Sequence, residues 1–158
     1  MSVDSLITLF KAKNLNLTKV NEVKDLYKVQ NSYLLGKNKN IIGISLKNIE
    51  FSDISKTILS LTSLSFLRLV NVNFTNLTSI DFLAKDLETL SLSRNELEEF
   101  PIEILEIKSL NSLSMSGNQI TKLPKEIQKL INLQTLGLSG NKFFYLKIMI
   151  NISMLSRC

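Results

Sequence analysis

An α/β solenoid of stacked 23-residue units is the fold class this sequence predicts, and three observations carry the prediction. Residues 87–101 read LETLSLSRNELEEFP and residues 110–124 read LNSLSMSGNQITKLP, the same frame of leucines, one asparagine and one proline. Unit starts at Ile41, Leu64, Leu87, Leu110 and Leu133 extend the frame to five turns. The third and fifth residues after each start are apolar in every unit, from Ile44 and Leu46 to Leu136 and Leu138, and the eleventh and fourteenth places continue the pattern.

Residues 1–40 precede the first unit. Leu17, Val20, Val23, Leu26 and Tyr27 follow a three-to-four spacing, which predicts an amphipathic helix, and the first turn of a solenoid needs its open core covered. The segment is therefore expected to be an N-terminal helical cap.

Within each unit, apolar residues alternate with polar ones over LxxLxL, the period of a short strand with one buried face. The chain then turns and returns along the far side of the coil. Pro101 and Pro124 open that return in the third and fourth units, where a fixed φ and a missing N–H suit a first helical position. Ile104, Ile107, Ile127 and Leu130 follow at spacings that aim them inward, and Glu103 and Glu126 are favourably placed in a first turn. Asn95, Asn118 and Asn141 form one column directly after the strand. A turn that enters the core strands backbone donors and acceptors, and a short amide side chain answers both kinds, so the column reads as a structural ladder between neighbouring turns.

These residues resemble the leucine-rich repeat family, whose pattern LxxLxLxxNxLxxLPxxIxxLxx is almost fully met by residues 87–109 and 110–132. The 23-residue length with LPxxI is most similar to the intracellular class found in Ras-binding scaffolds, Scribble-type polarity proteins and many bacterial repeat proteins. The resemblance covers about residues 41–146. It implies a right-handed solenoid with a short-stranded parallel sheet on its concave face, 3-10, short helical or irregular segments on its convex face, and use as a holder of other proteins. The chain departs from the pattern at Ile49 and Val72 in the asparagine column and at Ser55, Thr78 and Lys147 in the proline column. Less regular turns are expected in the first two units.

Composition fits one globular domain of 158 residues, 44% hydrophobic and 21% charged. The net charge of +5 is concentrated in the leader, where seven lysines face Asp4, Glu22 and Asp25. The remainder is nearly neutral, with twelve basic against eleven acidic residues, which is poor for phosphate-backbone binding. Nucleic-acid docking through the lysine-rich leader, by Lys11, Lys13, Lys37 and Lys39, is accordingly the second functional class. Neither metal ligation nor a cofactor is implied, and catalysis lacks its means. Histidine is absent, the one cysteine is Cys158, and no glycine-rich phosphate loop occurs. The carboxylates at 96, 98, 99, 103 and 106 have a plainer reading as an exposed face, with Glu99 beside Lys122 and Glu106 beside Lys129 one turn on. A single cysteine and no span-length apolar run favour a cytoplasmic protein that does not enter a membrane.

If the chain binds, the outward strand positions should do the binding. In the last three units they are mostly serine and threonine, whereas the first units bring together Lys47, Phe66, Arg68 and Val70, with Arg94 at the edge. An exposed aromatic and aliphatic pair ringed by cations suits an acidic, apolar-tipped segment of a protein partner. The chain is thus expected to be a non-enzymatic interaction module, an adaptor, scaffold or regulatory subunit in signalling. Residues 147–158 resemble an incomplete cap. The run FFYLKIMINISMLSRC puts apolar side chains where the preceding units mostly carry Glu, Lys or Gln, so this end is expected either to self-associate or dock a partner, or to fold back as a crude cap.

Overall fold

The computed structural model describes residues 2–50, 57–58, 60–73 and 85–143. A seven-stranded sheet in the order β1-β2-β3-β4-β5-β6-β7 forms its backbone. The repeat units supply β3 (Ile41–Lys47), β4 (Phe66–Val70), β5 (Thr89–Ser91), β6 (Ser112–Ser114) and β7 (Thr135–Gly137). These five pair in parallel with a constant offset of one unit, so that Ile44, Leu67, Leu90, Leu113 and Leu136 stand side by side. All five leucine-column side chains are buried, as are Leu46, Leu69, Leu92 and Met115 in the next inward column. Period two in the sequence becomes one apolar face of the sheet.

The returning segments close the core from the other side. Pro101, at φ −67°, leads into a 3-10 helix at Ile102–Glu106, and Pro124, also at −67°, into another at Lys125–Lys129. Ile104, Ile107, Ile127 and Leu130 are buried beneath them. The third and fourth turns of the coil are thereby two-sided sandwiches that only their neighbours complete.

Between strand and return, the asparagines tie the turns together. The Asn118 side-chain amide donates to Leu92 O (2.9 Å) in the preceding unit and to Met115 O (2.8 Å) in its own, while its oxygen accepts from Leu97 N–H (3.2 Å). Asn95 and Asn141 make equivalent bonds one unit to either side. The eighth place of the unit adds a second regularity: Asn48, Asn71, Arg94, Gly117 and Gly140 all have φ between +52° and +73°. Asn48, Asn71, Arg94 and Gly117 each donate their N–H to a carbonyl of the next turn, at 2.7–3.2 Å. The first two units, which lack the asparagine at Ile49 and Val72, keep the left-handed residue at Asn48 and Asn71, but the second unit adds another at Asn73, φ +53°, so its turn departs from the others. There Asn71 Nδ2 donates to Asn48 Oδ1 (2.8 Å) and Asn73 Nδ2 to Glu50 Oε1 (2.6 Å), outside the core. The segments that follow, 51–56 and 74–84, lie outside the described residues.

The leader is not a purely helical cap. It comprises α1 (Val3–Ala12), β1 (Thr18–Val20), α2 (Val23–Lys28) and β2 (Ser32–Leu35). α1, capped by Ser2 Oγ accepting from Ser5 N–H at 3.1 Å, drives Leu6 and Phe10 into the main core. β2 pairs antiparallel with β3, and β1 parallel with β2. The expected helix over residues 17–27 is therefore interrupted. The first repeat strand offers a row of unpaired backbone groups, and covering that edge with strands satisfies them where a helix would not. Tyr33 faces the main core opposite Ile44, so its strand neighbour Leu34 must face the other side of the sheet.

Candidate functional site

On that other side, α2 lies across the sheet. Leu26 descends onto Gly43, where a Cβ would stand only 2.6 Å from Leu26 Cδ1 and 3.3 Å from Leu34 Cβ. Glycine at this strand position is what lets the helix approach so closely. Val20, Leu26, Leu34 and Phe66 then form a second, small apolar cluster. Phe66 is consequently 2% exposed, and Val70, in register with Lys47, is 5% exposed. The expectation that both are exposed is corrected: Gly43 admits the cap, which takes Phe66 for its own packing, while Val70, though buried, still lines the open side.

What remains open begins where α2 ends. Tyr27, 53% exposed, sets its ring edge-on to Phe66 with centroids 5.0 Å apart and planes at 88°. From there a cleft of about 400 Å³ runs over β3 to β6, lined by Tyr27, Lys47, Arg68, Arg94, Val70, Leu90 and the hydroxyls of Thr89, Ser91, Ser93, Ser112 and Ser114. Lys47 stands at the end of β3, Arg68 on β4, and Arg94 in the turn after β5. The geometry thus gathers Lys47, Arg68 and Arg94 at one cavity and withdraws Phe66 beneath its rim.

Arg68 is held by Ser45 Oγ, to which its Nη1 donates at 3.2 Å. Ser93 Oγ shares hydrogen bonds with Ser91 Oγ (3.2 Å) and Ser114 Oγ (2.8 Å), so the floor is a connected set of rotatable donors. Burial lowers the Arg68 guanidinium from its ordinary value, and burial raises the Tyr27 hydroxyl, each partly offset by the other. Among the described residues the ion pairs are Lys24 with Glu22 and Lys108 with Glu106, and neither reaches the cleft. Among the described residues the cleft lining contains no carboxylate. The described lining thus combines three cations with a bed of hydroxyls, the donor set that suits an anion.

Elsewhere, the anticipated pairs of Glu99 with Lys122 and Glu106 with Lys129 do not form; Glu106 instead lies 3.9 Å from Lys108. Ordering two exposed, flexible side chains costs about as much as their screened attraction returns, so the repeat frame alone does not enforce such pairs. The apolar run at 144–158, assigned to self-association or capping, lies outside the described residues. Tyr27, assigned from its spacing to the apolar face of the cap, is a lining residue that the cation pattern did not flag. Its signal was Gly43, a glycine inside a strand and therefore a mark of close approach.

A parallel sheet of one-unit register, 3-10 returns and an asparagine ladder define a repeat solenoid. Residues 85–143 match the leucine-rich repeat family model, and the five-strand parallel register continues the same arrangement from Ile41. Among solved structures it is similar to an internalin from Listeria monocytogenes, at 19% identity and a TM-score of 0.46, covering 89% of this chain and 52% of that one. The chain therefore spans about half the length of that internalin. A search of the curated proteins gave no match. Among the described residues no helix is long and apolar enough to cross a membrane.

Proposed function

We propose that this chain is a non-enzymatic adaptor or regulatory subunit, acting in the cytoplasm, that holds an acidic segment of a protein partner in the cleft between α2 and β6. The observation that supports the reading is the cleft itself: among the described residues Lys47, Arg68 and Arg94 line it with serine and threonine hydroxyls and no carboxylate. Long-range attraction brings the acidic segment in, and hydrogen bonds from Arg68 and the serines fix its register. The apolar part of the partner meets Tyr27 rather than Phe66, because the Tyr27 ring is half open beside the cations while Phe66 is covered.

The test is capture from cell extract by the intact chain and by an Arg68→Glu, Arg94→Glu variant, with competition by a glutamate-rich peptide and with nuclease in half of each sample. Partner proteins lost on substitution, displaced by the acidic peptide and indifferent to nuclease support the reading. Capture that ignores the substitutions but disappears with nuclease would assign function to Lys11, Lys13, Lys37 and Lys39 instead. Phe66→Ala is unsuited to this test: truncating a buried aromatic side chain costs about 3–5 kcal/mol of stability, so lost binding would report unfolding.

A further inference from the structure

The cleft's charge points beyond a carboxylate. We infer that the anion it accommodates is a phosphomonoester carried on a side chain of the partner's docking segment, an inference that rests on the acidic-segment reading above. Lys47, Arg68 and Arg94 come from β3, β4 and the turn after β5, so they bracket a span of two strand spacings, or about 10 Å. A single carboxylate has one charge and two oxygens to place among them. A phosphomonoester brings up to two charges and three acceptor oxygens, which matches a site whose donors arrive from several strands.

The local chemistry supports the same ligand. Arg68 spends one guanidinium contact on Ser45 and keeps its remaining donors for the cleft, where Ser91 is its register neighbour on β5. Ser93 and Ser114 hydroxyls, now bonded to one another at 2.8 Å, can each rotate to donate to a phosphate oxygen. Half-burial of Arg68 without a paired carboxylate leaves a charge whose desolvation a bound dianion offsets. Arg94 strengthens the case through its backbone. It occupies the left-handed conformation that every other unit fills with asparagine or glycine, so a charged side chain has been accepted there against conformational preference.

The experiment titrates the intact, isotopically labelled chain with three probes, following backbone amide shifts: a short acetylated alanine peptide bearing a central phosphoserine, the same peptide with aspartate, and inorganic phosphate. The expected result is that shifts map to Arg68, Ser93 and Ser114, and that the phosphoserine peptide binds about tenfold more tightly than either other probe at about pH 7.5. Its affinity should weaken toward about pH 5, as the phosphate passes its second pKa near 6, where the aspartate peptide barely changes. Arg68→Gln and Arg94→Gly should each reduce the effect, the latter without disturbing the turn. Equal binding of the phosphoserine and aspartate peptides, lost in Arg68→Gln, overturns the phosphate inference and leaves the acidic-segment reading standing. Inorganic phosphate binding as tightly as the phosphopeptide also overturns it, since the peptide then adds nothing. If no probe moves the cleft resonances, both readings fail.

Discussion

Replacing Arg94 by glycine should make the protein more stable and its cleft weaker. The φ of Arg94 is +56°, against +57° and +52° for Asn48 and Asn71 and +73° and +69° for Gly117 and Gly140 in the same column. A side chain with a Cβ pays about 1–2 kcal/mol for that conformation, which glycine does not. Glycine in turn loses more backbone freedom on folding, about 0.5–1 kcal/mol. The exposed Arg94 stem runs past Gly117, close enough that a Cβ there would lie 3.1 Å from Arg94 Cγ, and losing that surface contact costs a few tenths of a kcal/mol at most. The net gain is about 0.5 kcal/mol, or a rise of about 1–2 °C in Tm for a chain of this size. Thermal unfolding followed by circular dichroism reads the first effect, and the affinity of an acidic peptide reads the second, expected to fall several-fold. Arg94→Asn should give a smaller rise with the same loss of affinity. A lower Tm for Arg94→Gly would show that the arginine is there for the fold. A higher Tm with unchanged affinity would remove Arg94 from the site.

Four other outcomes check separate parts of the structure. Gly43→Ala places a methyl 2.6 Å from Leu26 Cδ1, so the buried Leu26 side chain or α2 must shift; the expected loss is about 1–3 kcal/mol, with faster amide exchange in α2 and β1. Asn118→Ala strands Leu97 N–H in the core and leaves Leu92 O and Met115 O to Asn95 and Asn141, and should cost about 1–3 kcal/mol in denaturant unfolding, whereas Asn71→Gly, which loses one exposed hydrogen bond and keeps the left-handed backbone accessible, should cost under about 1 kcal/mol. Tyr27 carries a pKa raised by burial above the ordinary 10.0, so the stability it contributes is complete below that value and is lost as pH rises through the higher folded value. Tyr27→Phe should flatten that alkaline decline in a pH series of unfolding curves. Neutralising Lys11, Lys13, Lys37 and Lys39 should leave acidic-peptide affinity unchanged at about 0.15 M salt, beyond the reach of screened surface charge; a large drop would transfer the site to the leader.

The repeat core was legible because it is built from nearest-neighbour repetition. A leucine at each inward position implies the next one a unit away, and no long-range fact is needed to place Leu90 between Leu67 and Leu113. The cations of the cleft were legible for the same reason, since the register that puts Lys47 beside Val70 follows from the period. Whether a position on the open face is exposed is a different kind of fact. It depends on what crosses the sheet, and the leader has no period by which to place it. The spacing of Val20, Val23 and Leu26 suggested one helix, but Val20 and Leu26 reach the same small cluster from a strand and from a six-residue helix.

Gly43 is where those two kinds of information meet. Its column reads glycine, phenylalanine, threonine, serine, threonine from β3 to β7, and the side chains pass from covered to open in the same order. A repeat protein needs its first turn closed, and here the closing element bends over the binding face as well as the core's end. That overlap consumes the apolar residues Phe66 and Leu34 and sets Tyr27 as a wall where the open strands begin. The cap therefore does more than terminate the solenoid: it converts a flat, hydroxyl-rich sheet into a cleft with one aromatic side and cations along its floor. The cleft lies at the boundary between the periodic and aperiodic parts of the chain, so under the proposed function substitutions in α2 should alter partner choice while leaving the repeats intact.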